Sequence, residues 1–546
     1  MNDTIPVRFI HRCAQQAERV AMRLFDPRGE KREITWGQWG DRTFEFAAAV
    51  LESRARDTSA VAILAGNGFM WPIADLGTLI CGKQSVGIYP TSAPVQIEKM
   101  LADSAAGVLV IDDAARLAAV LEMRSRLPAL HVIVASCNPC PSGVVSWNEW
   151  LEIGAAALAS NVSLARSIET TARAIDRKQP AIIIYTSGST GEPKGAVLSH
   201  GCIEASTASI EEALGLREGD STLSFLPYSH AAERITGLYM RIRCGIEADL
   251  LQDPSQMWHA ALSCKPTMFG GLPRYYEKLH HTAVARGRSA AGLLGGRVRL
   301  ATSGGAALSP ALAEALAKDG VTVLGAYGLT EHLCVAFNRP DDPTFDTAGA
   351  PMPGTQIRIA PDGEVLIRRS ELTFSGYHNL PEATDAAFTD DGEWLYTGDL
   401  GSLDDRGRLR ITGRKKELLA LSNGKMVAPL PIEARLSAHP LIAHAVLHAE
   451  GKQFVSALIV LRGEAVERWA EKNAISLLVP LVSHPLLVAE VQKAVDDVNA
   501  GLSRAESIRR FVLVDCETTI ELTPTQKIRR SVMLEKYSAE LEALYA

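Results

Sequence analysis

A short segment rich in glycine and hydroxyl side chains carries the clearest chemical signal in the sequence. Residues 185–195 read YTSGSTGEPKG and follow the apolar run AIII, which is typical of a buried strand. The segment's three glycines leave backbone N–H groups accessible, and its four Ser and Thr residues add hydroxyl donors. Such a set of donors suits phosphate oxygens, and a nearby lysine adds a positive charge. We therefore predict a phosphate-binding loop with these members: Thr186, Ser187, Gly188, Ser189, Thr190, Gly191 and Lys194.

This loop differs from three better-known signatures. A Walker loop needs Gly-Lys directly before Ser or Thr, and the sequence has no such triplet. It also has no G-x-G-x-x-G and no G-x-S-x-G pattern. The sequence therefore lacks the motifs that are typical of dinucleotide-dependent hydride transfer and of α/β-hydrolase chemistry.

The elements around the loop predict an α/β fold. Short apolar runs near 61–65, 107–111 and 131–135 alternate with stretches of helical pattern, as in a mostly parallel βαβ sheet. A second series of the same kind runs from 220 to 330. From 347 to 412, short strands separated by Gly and Asp turns favour an antiparallel, barrel-like region. The residues beyond it mix helices and short strands, which indicates a separate α+β unit.

Composition and charge narrow the class of protein. The chain has 546 residues, too many for one hydrophobic core, and its 47% hydrophobic and 22% charged residues are ordinary for a globular protein. No apolar run approaches the roughly 18 residues of a membrane span, and no secretory signal is visible at the N-terminus. A net charge of −7 argues against bulk nucleic-acid binding. Nine scattered cysteines fit a reducing cytosol, so we expect a cytoplasmic protein.

Four further motifs follow the loop in a fixed order. They are YGLTE at 327–331, YTGD at 396–399, GRKKE at 413–417 and LTPTQKIR at 522–529. Together with the loop they resemble the adenylate-forming superfamily, which comprises acyl-CoA synthetases, luciferases and peptide-synthetase adenylation domains. Segments 223–234, 273–278 and 422–429 are similar to those of the long-chain fatty acyl-CoA synthetases.

The resemblance implies a two-domain architecture. Residues 1–412 would form a large N-terminal domain of parallel-sheet βαβ subdomains plus the small barrel-like region, which binds ATP and the acyl substrate. Residues 413–546 would form a small, mobile α+β lid domain. Its hinge would lie near Lys416.

The same resemblance implies roles for individual residues. Lys527 would bridge the substrate carboxylate and the α-phosphate, and Glu331, assisted by the Thr186 hydroxyl, would bind Mg²⁺. The loop residues would hold the β- and γ-phosphates. His230 would gate or line the path to the acyl carbonyl, with a purely structural role as its alternative. The remaining nucleotide-binding residues would be Ser303, Gly304, Gly305, Gly325, Ala326, Tyr327, Gly328, Thr330, Asp399, Arg414 and Lys416.

The implied function is the ATP-dependent activation of a long-chain or other hydrophobic carboxylic acid to acyl-AMP, followed by transfer to coenzyme A. Two alternatives stay open. One is loading of a carrier protein's pantetheine arm, although no insertion is obvious between 400 and 440. The other is a catalytically silent relative that binds nucleotide or acyl-CoA, although such a protein would not need Lys527. A homodimer and peripheral contact with a membrane are also left open.

Three positions depart from the family pattern, and one of them, Glu393 before Trp394 where Gly-Trp is usual, is interpreted as surface variation. Gln526 precedes the C-terminal lysine where the superfamily commonly has glycine. His332 follows Glu331 where long-chain relatives often have threonine. A titratable ring at the mouth of the acyl pocket would indicate an oxygenated or shorter acid. The alternative is that His332 points away from the substrate.

Overall fold

The computed structural model describes residues 3–30, 32–187, 193–475, 481–515, 520–521 and 528–545. The chain divides into two compact units. Unit 1 comprises the described residues of Met1–Ala306, Ala313–Ile357 and Ile367–Tyr396, and unit 2 those of Ala307–Leu312, Arg358–Leu366 and Thr397–Ala546.

The strands, in chain order, are β1 Val20–Leu24, β2 Arg32–Thr35, β3 Ala60–Leu64, β4 Gln84–Gly87, β5 Val108–Ile111, β6 Val132–Ala135, β7 Val145–Ser146, β8 Pro180–Ser187, β9 Pro193–Ser199, β10 Ser221–Ser224, β11 Glu247–Leu250, β12 Met268–Gly271, β13 Leu300–Ser303, β14 Val323–Leu329, β15 Leu333–Phe337, β16 Ala350–Pro351, β17 Ile357–Ile359, β18 Glu364–Arg368, β19 Gly376–Tyr377, β20 Trp394–Leu403, β21 Leu409–Arg414, β22 Leu419–Ala420, β23 Met426–Val427, β24 Ile442–His448, β25 Val455–Leu461 and β26 Ile508–Val514.

The α-helices, in chain order, are α1 Ile5–Gln15, α2 Trp36–Glu52, α3 Met70–Ile80, α4 Pro94–Ser104, α5 Ala114–Met123, α6 Trp147–Ser160, α7 Val162–Ala174, α8 His200–Leu214, α9 Met240–Cys244, α10 Met257–Cys264, α11 Pro273–Arg286, α12 Ala290–Leu293, α13 Pro310–Lys318, α14 Pro381–Asp385, α15 Pro429–Ser437, α16 Gly463–Lys472, α17 Pro485–Asn499, α18 Arg530–Lys536 and α19 Ser538–Ala543. A π-helix, Glu233–Tyr239, directly precedes α9.

Two large sheets organise unit 1. Among the described residues, one sheet has the strand order β19-β9-β8-β4-β3-β5-β6-β7 and the other β16-β15-β14-β13-β12-β10-β11-β1-β2. The strands β8, β4, β3, β5 and β6 pair in parallel. Because both faces of these strands are covered, β3, β5 and β6 are continuous buried apolar runs. The predicted α/β fold with a mostly parallel sheet is therefore confirmed.

Several helices begin at a residue whose side chain caps the first turn. At the start of α2, the Thr35 hydroxyl accepts from the Gln38 N–H while the Gln38 side chain accepts from the Thr35 N–H, a reciprocal capping box. At the start of α8, the Ser199 hydroxyl accepts from the Cys202 N–H. The Ser- and Ala-rich segment 154–179 is mostly helical and contains the end of α6 and all of α7.

Unit 2 has its own hydrophobic core. The strands β24, β25 and β26 form one sheet, and α15, α16 and α17 bury apolar side chains against it. β25 has seven buried residues in succession, so this strand forms the centre of the core. The region predicted to be barrel-like contains a four-stranded sheet in the order β17-β18-β20-β21.

Two further observations complete the fold. In the ranges that the structure describes, no helix combines the length and apolar character that crossing a membrane requires. Cys137 and Cys140 are joined by a disulfide, a pairing that the sequence analysis did not predict.

Candidate active site

The two ends of the predicted phosphate loop lie on a β-hairpin. β8 and β9 pair antiparallel, with Thr186 opposite Lys194 and Ser187 opposite Pro193. The Thr186 hydroxyl donates to the Lys194 carbonyl oxygen at 3.3 Å. The hairpin is firmly anchored because residues 181–184 of β8 are buried. Residues 188–192, which include the predicted Gly188, Ser189, Thr190 and Gly191, lie outside the described residues.

A tyrosine that the sequence analysis did not single out joins this hairpin to Glu331. The short strand β19 pairs with β9, which places Tyr377 opposite Ala196. The ammonium group of Lys194 lies 5.2 Å from the centre of the Tyr377 ring. The Tyr377 hydroxyl donates to Glu331 Oε1 at 2.6 Å. Burial, and after it the neighbouring carboxylate, raises the pKa of the Tyr377 phenol, so the group stays a neutral hydrogen-bond donor.

Glu331 lies in the turn between β14 and β15, and the backbone there is held tightly. Its carbonyl oxygen accepts from the Phe374 N–H at 2.8 Å. The β14–β15 pairing is irregular between Tyr327 and Gly328. A Cβ at Gly328 would lie 1.9 Å from the carbonyl oxygen of Leu333, so only glycine fits. The YGLTE motif therefore contains a glycine required by the fold and a carboxylate whose main chain is fixed. Thr330 lies in the same turn.

Two of the predicted nucleotide-binding segments, 303–305 and 325–328, begin on adjacent strands. β13 and β14 are parallel, and Ser303 is paired with Gly325. A Cβ at Gly304 would lie 3.7 Å from the Cβ of Ala326, which is ordinary van der Waals contact. The Ser303 hydroxyl is buried and has no hydrogen-bond partner among the described residues. Ser303 and Gly304 therefore lie beside Gly325 and Ala326, and these four small residues form one continuous patch.

The YTGD and GRKKE motifs meet within unit 2. Asp399 on β20 is paired with Arg414 on β21, and Arg414 Nε lies 3.0 Å from Asp399 Oδ1. The Asp399 side chain is only 5% exposed, whereas that of Arg414 is 50% exposed. A partly exposed arginine therefore lies beside a nearly buried carboxylate.

The two adjacent lysines of GRKKE differ in environment. Lys415 forms ion pairs with Asp362 at 2.6 Å and Glu364 at 2.8 Å, and hydrogen bonds to these two carboxylates raise its pKa. Glu364 also accepts from the Gly398 N–H at 2.9 Å. Lys415 thus ties the GRKKE motif to the YTGD turn, a contact that the sequence analysis missed. Lys416 lies exposed in the 3₁₀ turn Lys415–Glu417.

His230 is half-buried at the turn before the π-helix. Its Nδ1 accepts from the Ala232 N–H at 3.1 Å, and its ring centre lies 6.4 Å from that of Tyr89. Because Nδ1 is the acceptor, a neutral His230 ring carries its proton on Nε2. The His230 carbonyl oxygen accepts from the Arg234 N–H at 3.0 Å, which fixes the turn.

His332 is a core residue, so the expectation of a titratable ring at the mouth of a pocket is wrong. The residue is fully buried. Its two ring nitrogens lie 3.3 Å from the Thr373 hydroxyl and 3.1 Å from the Thr355 hydroxyl. Burial lowers the pKa of His332 to about 4. The alternative, a ring that points into the fold, is the arrangement that the structure has.

Lys527 and Gln526 lie outside the described residues, so their placement stays a prediction. Within the described ranges, no group of three or more His, Cys, Asp and Glu side chains could hold a metal ion. A divalent cation held by one carboxylate together with substrate phosphates would not need such a group.

Comparison with known proteins identifies the family. Residues 9–378 match the AMP-binding enzyme family, and residues 416–546 match the AMP-binding enzyme C-terminal domain. The chain is 34% identical to the long-chain-fatty-acid--CoA ligase FadD15 of Mycobacterium bovis, over 93% of each chain. It is 33% identical to FadD15 of Mycobacterium tuberculosis over the same shares.

A solved structure extends the likeness to the whole fold. The anthranilate CoA ligase AuaEII, in complex with anthranoyl-AMP, superposes with a TM-score of 0.80 at 23% identity, covering 99% of this chain and 98% of that one. The ordered motifs, the matched families and the shared fold agree with one another. The chain therefore belongs to the AMP-binding enzymes, that is, to the fatty acid–CoA ligase branch of the adenylate-forming superfamily.

Proposed function

We propose that this chain is an AMP-forming acid–thiol ligase. It would convert a long-chain or other hydrophobic carboxylic acid and ATP into acyl-AMP and pyrophosphate, and then transfer the acyl group to coenzyme A. The observation that carries the proposal is the 34% identity with a long-chain fatty acid–CoA ligase over 93% of both chains. An acceptor thiol on a carrier protein is not favoured by these relatives.

The chemistry explains why the motif residues are of these types. A carboxylate is a poor electrophile, so one of its oxygens first attacks the α-phosphorus of ATP while pyrophosphate leaves. The thiol then attacks the acyl carbon and AMP leaves. Both steps depend mainly on positioning and on stabilising charge. Lys527 would stabilise the charge that develops between the carboxylate and the α-phosphate, and Lys194 would neutralise the outer phosphates.

The oxygen ligands available in unit 1 fit a magnesium ion that binds together with ATP. Mg²⁺ is commonly bound by one or two carboxylates plus substrate phosphates. Glu331 supplies one carboxylate, of which Oε1 accepts from Tyr377, and Thr186 supplies a hydroxyl. When bound, the ion would neutralise phosphate charge. This chain's contribution is the fixed backbone that presents Glu331.

For unit 2 we propose that Asp399 binds the ribose hydroxyls and that Arg414 and Lys416 contact the nucleotide. We further propose a boundary at 412/413 and a rotation of residues 413–546 about Lys416 between the two half-reactions. The anchoring of Lys415 by Asp362 and Glu364 supports a pivot that begins just after it. His230 is proposed to line the acyl path, because the turn that carries it is held in place.

The experiment that tests the function measures AMP, pyrophosphate and thioester with the purified chain, ATP and Mg²⁺, over a panel of acids of increasing length. We expect AMP and thioester to appear together and only with coenzyme A and an acid present. Acid-dependent pyrophosphate exchange without thioester would point to a carrier protein as acceptor. Absence of AMP with every acid would refute the proposal in favour of a silent relative.

Lys527→Ala tests the role assigned to the C-terminal lysine. Loss of a group that stabilises developing charge lowers the rate by about 10²–10³-fold, so acyl-AMP formation should fall by this factor. Thioester formation from supplied acyl-adenylate should be nearly unchanged. Lys493→Ala, on an exposed face of α17, is the matched control. Equal loss of both half-reactions would contradict the assignment.

A further inference from the structure

Tyr377 contacts the two oppositely charged groups of the proposed ATP site. Its hydroxyl holds Glu331 Oε1 at 2.6 Å, and its ring faces the Lys194 ammonium at 5.2 Å. Among the described residues, neither Lys194 nor Glu331 takes part in an ion pair. The neutral tyrosine therefore contacts both charged groups, with its hydroxyl at Glu331 and its ring at Lys194.

The backbone fixes the position of this tyrosine. Its N–H donates to the Thr384 hydroxyl at 2.8 Å, and β19 is paired with β9. The next two residues are tied to the end of α4, since the His378 ring and the Asn379 amide each lie 3.2 Å from the Asp103 carbonyl oxygen. A residue held from both sides can act as a rigid spacer.

A spacer at this position would prevent an ion pair between Lys194 and Glu331. A lysine and a glutamate on neighbouring segments attract one another, and an ion pair between them would occupy the groups that must meet phosphate and cation. A cation is also stabilised over an aromatic ring, and a carboxylate is also stabilised by a phenol donor. Neither of these contacts neutralises the charge, so both groups keep their charge available for the ligand.

We propose that Tyr377 is a positioning residue that keeps Lys194 and Glu331 apart, so that the lysine remains available to phosphate and the carboxylate to a divalent cation. The inference rests on the proposed function only in assigning these two groups to ATP and its metal. The Tyr377 hydroxyl acts on Glu331, and the Tyr377 ring acts on Lys194.

The test measures binding without any acid present, using Mn²⁺ followed by electron paramagnetic resonance, and ATP followed by calorimetry. Tyr377→Phe keeps the ring and removes the donor, so Mn²⁺ binding in the presence of ATP should weaken about tenfold, equivalent to about 1.4 kcal/mol, while metal-free ATP binding stays the same. Tyr377→Leu also removes the ring, so both affinities should fall by about tenfold or more. Tyr545→Phe, which loses a phenol that donates to two backbone carbonyls of unit 2, is the control and should change neither affinity.

A rescue separates the spacer role from a merely structural one. If Leu at 377 lets Lys194 pair with Glu331, then adding Lys194→Met to Tyr377→Leu should restore Mn²⁺ affinity, measured at saturating ATP, toward that of the wild type. Wild-type Mn²⁺ affinity in Tyr377→Phe, or no recovery in the double variant, would overturn the proposal. A wild-type chain that binds Mn²⁺ and ATP but makes no thioester would refute the proposed function and leave the result on Tyr377 intact.

Discussion

A fully buried ion pair behind the His230 turn offers the sharpest test of the packing of unit 1. Asp75 on α3 and Arg234 in the π-helix form a salt bridge, and both side chains are 0% exposed. Asp75 also accepts from the Ser85 hydroxyl at 2.6 Å and from the Tyr239 hydroxyl at 2.8 Å. The Arg234 guanidinium lies 4.9 Å from the centre of the Trp71 ring. Asp75→Asn keeps the shape of the side chain and removes only its charge. We expect this change to be strongly destabilising, because the buried Arg234 guanidinium then lacks a counter-charge.

The magnitude follows from burial. Removing one partner of a buried pair leaves the other charge without compensation and costs about 3–5 kcal/mol. The exposed pair of Arg126 and Glu98 is a matched control, since its two N–O distances are 2.6 and 2.7 Å and its side chains are 58% and 27% exposed. Such a surface pair contributes little to stability, because water and salt screen the attraction between its charges. Glu98→Gln should therefore be nearly neutral.

The assay is urea unfolding followed by tryptophan fluorescence, to which Trp71 contributes. The transition of Asp75→Asn should shift to a lower urea concentration with an unchanged slope. The Arg234 N–H donates to the carbonyl oxygen of His230, which we propose to line the acyl path. The KM for the acid should therefore rise as well. Replacing both partners, Asp75→Leu with Arg234→Met, should recover part of the stability. Equal unfolding curves for Asp75→Asn and Glu98→Gln would refute this reasoning.

Two further expectations concern other buried positions. Burial lowers the pKa of His332 from 6.5 to about 4, so the neutral ring stabilises the fold above pH 6.5 and loses this contribution, about 3 kcal/mol, as the pH falls through 4. The free energy of unfolding should therefore depend less on pH in His332→Gln than in the exposed control His131→Gln, and parallel pH curves would contradict this. A Cβ at Gly195 would lie 2.9 Å from the Ile183 side chain, so Gly195→Ala should cost about 1–3 kcal/mol by overpacking. Gly68→Ala, whose Cβ would meet its nearest atom at 3.5 Å, should be nearly neutral, and urea unfolding of both variants measures the difference.

Much of the fold could be predicted because the parallel strands are buried on both faces. Runs such as residues 61–65 and 107–111 are apolar without alternation, and the structure places strands there in parallel pairs. The segment 154–179 was harder to assign, because its apolar stripe, Leu164, Ile168 and Ala172, is narrow and lies among Ser, Thr, Ala and charged residues. Its helices α6 and α7 bury only a few side chains each.

The candidate site was predictable to the extent that its chemistry is local. Glycine and hydroxyl residues around 186–191 and the order of the motifs indicated the family, which the comparisons confirm. The contact between Tyr377 and Glu331 was not predictable, because the two residues are 46 positions apart and β19 has only two residues. A strand that short has no periodicity from which its partner could be inferred.

The sequence by itself determined the kinds of groups available: a loop of donors, a lysine and a carboxylate, and the glycine of the YGLTE motif. Only the tertiary structure decided which groups contact one another. It buried His332 between two threonines, and it placed the Tyr377 phenol between two opposite charges. The physical reason is that propensity and turn chemistry act over a few residues, whereas strand pairing and burial join residues that are far apart in the chain.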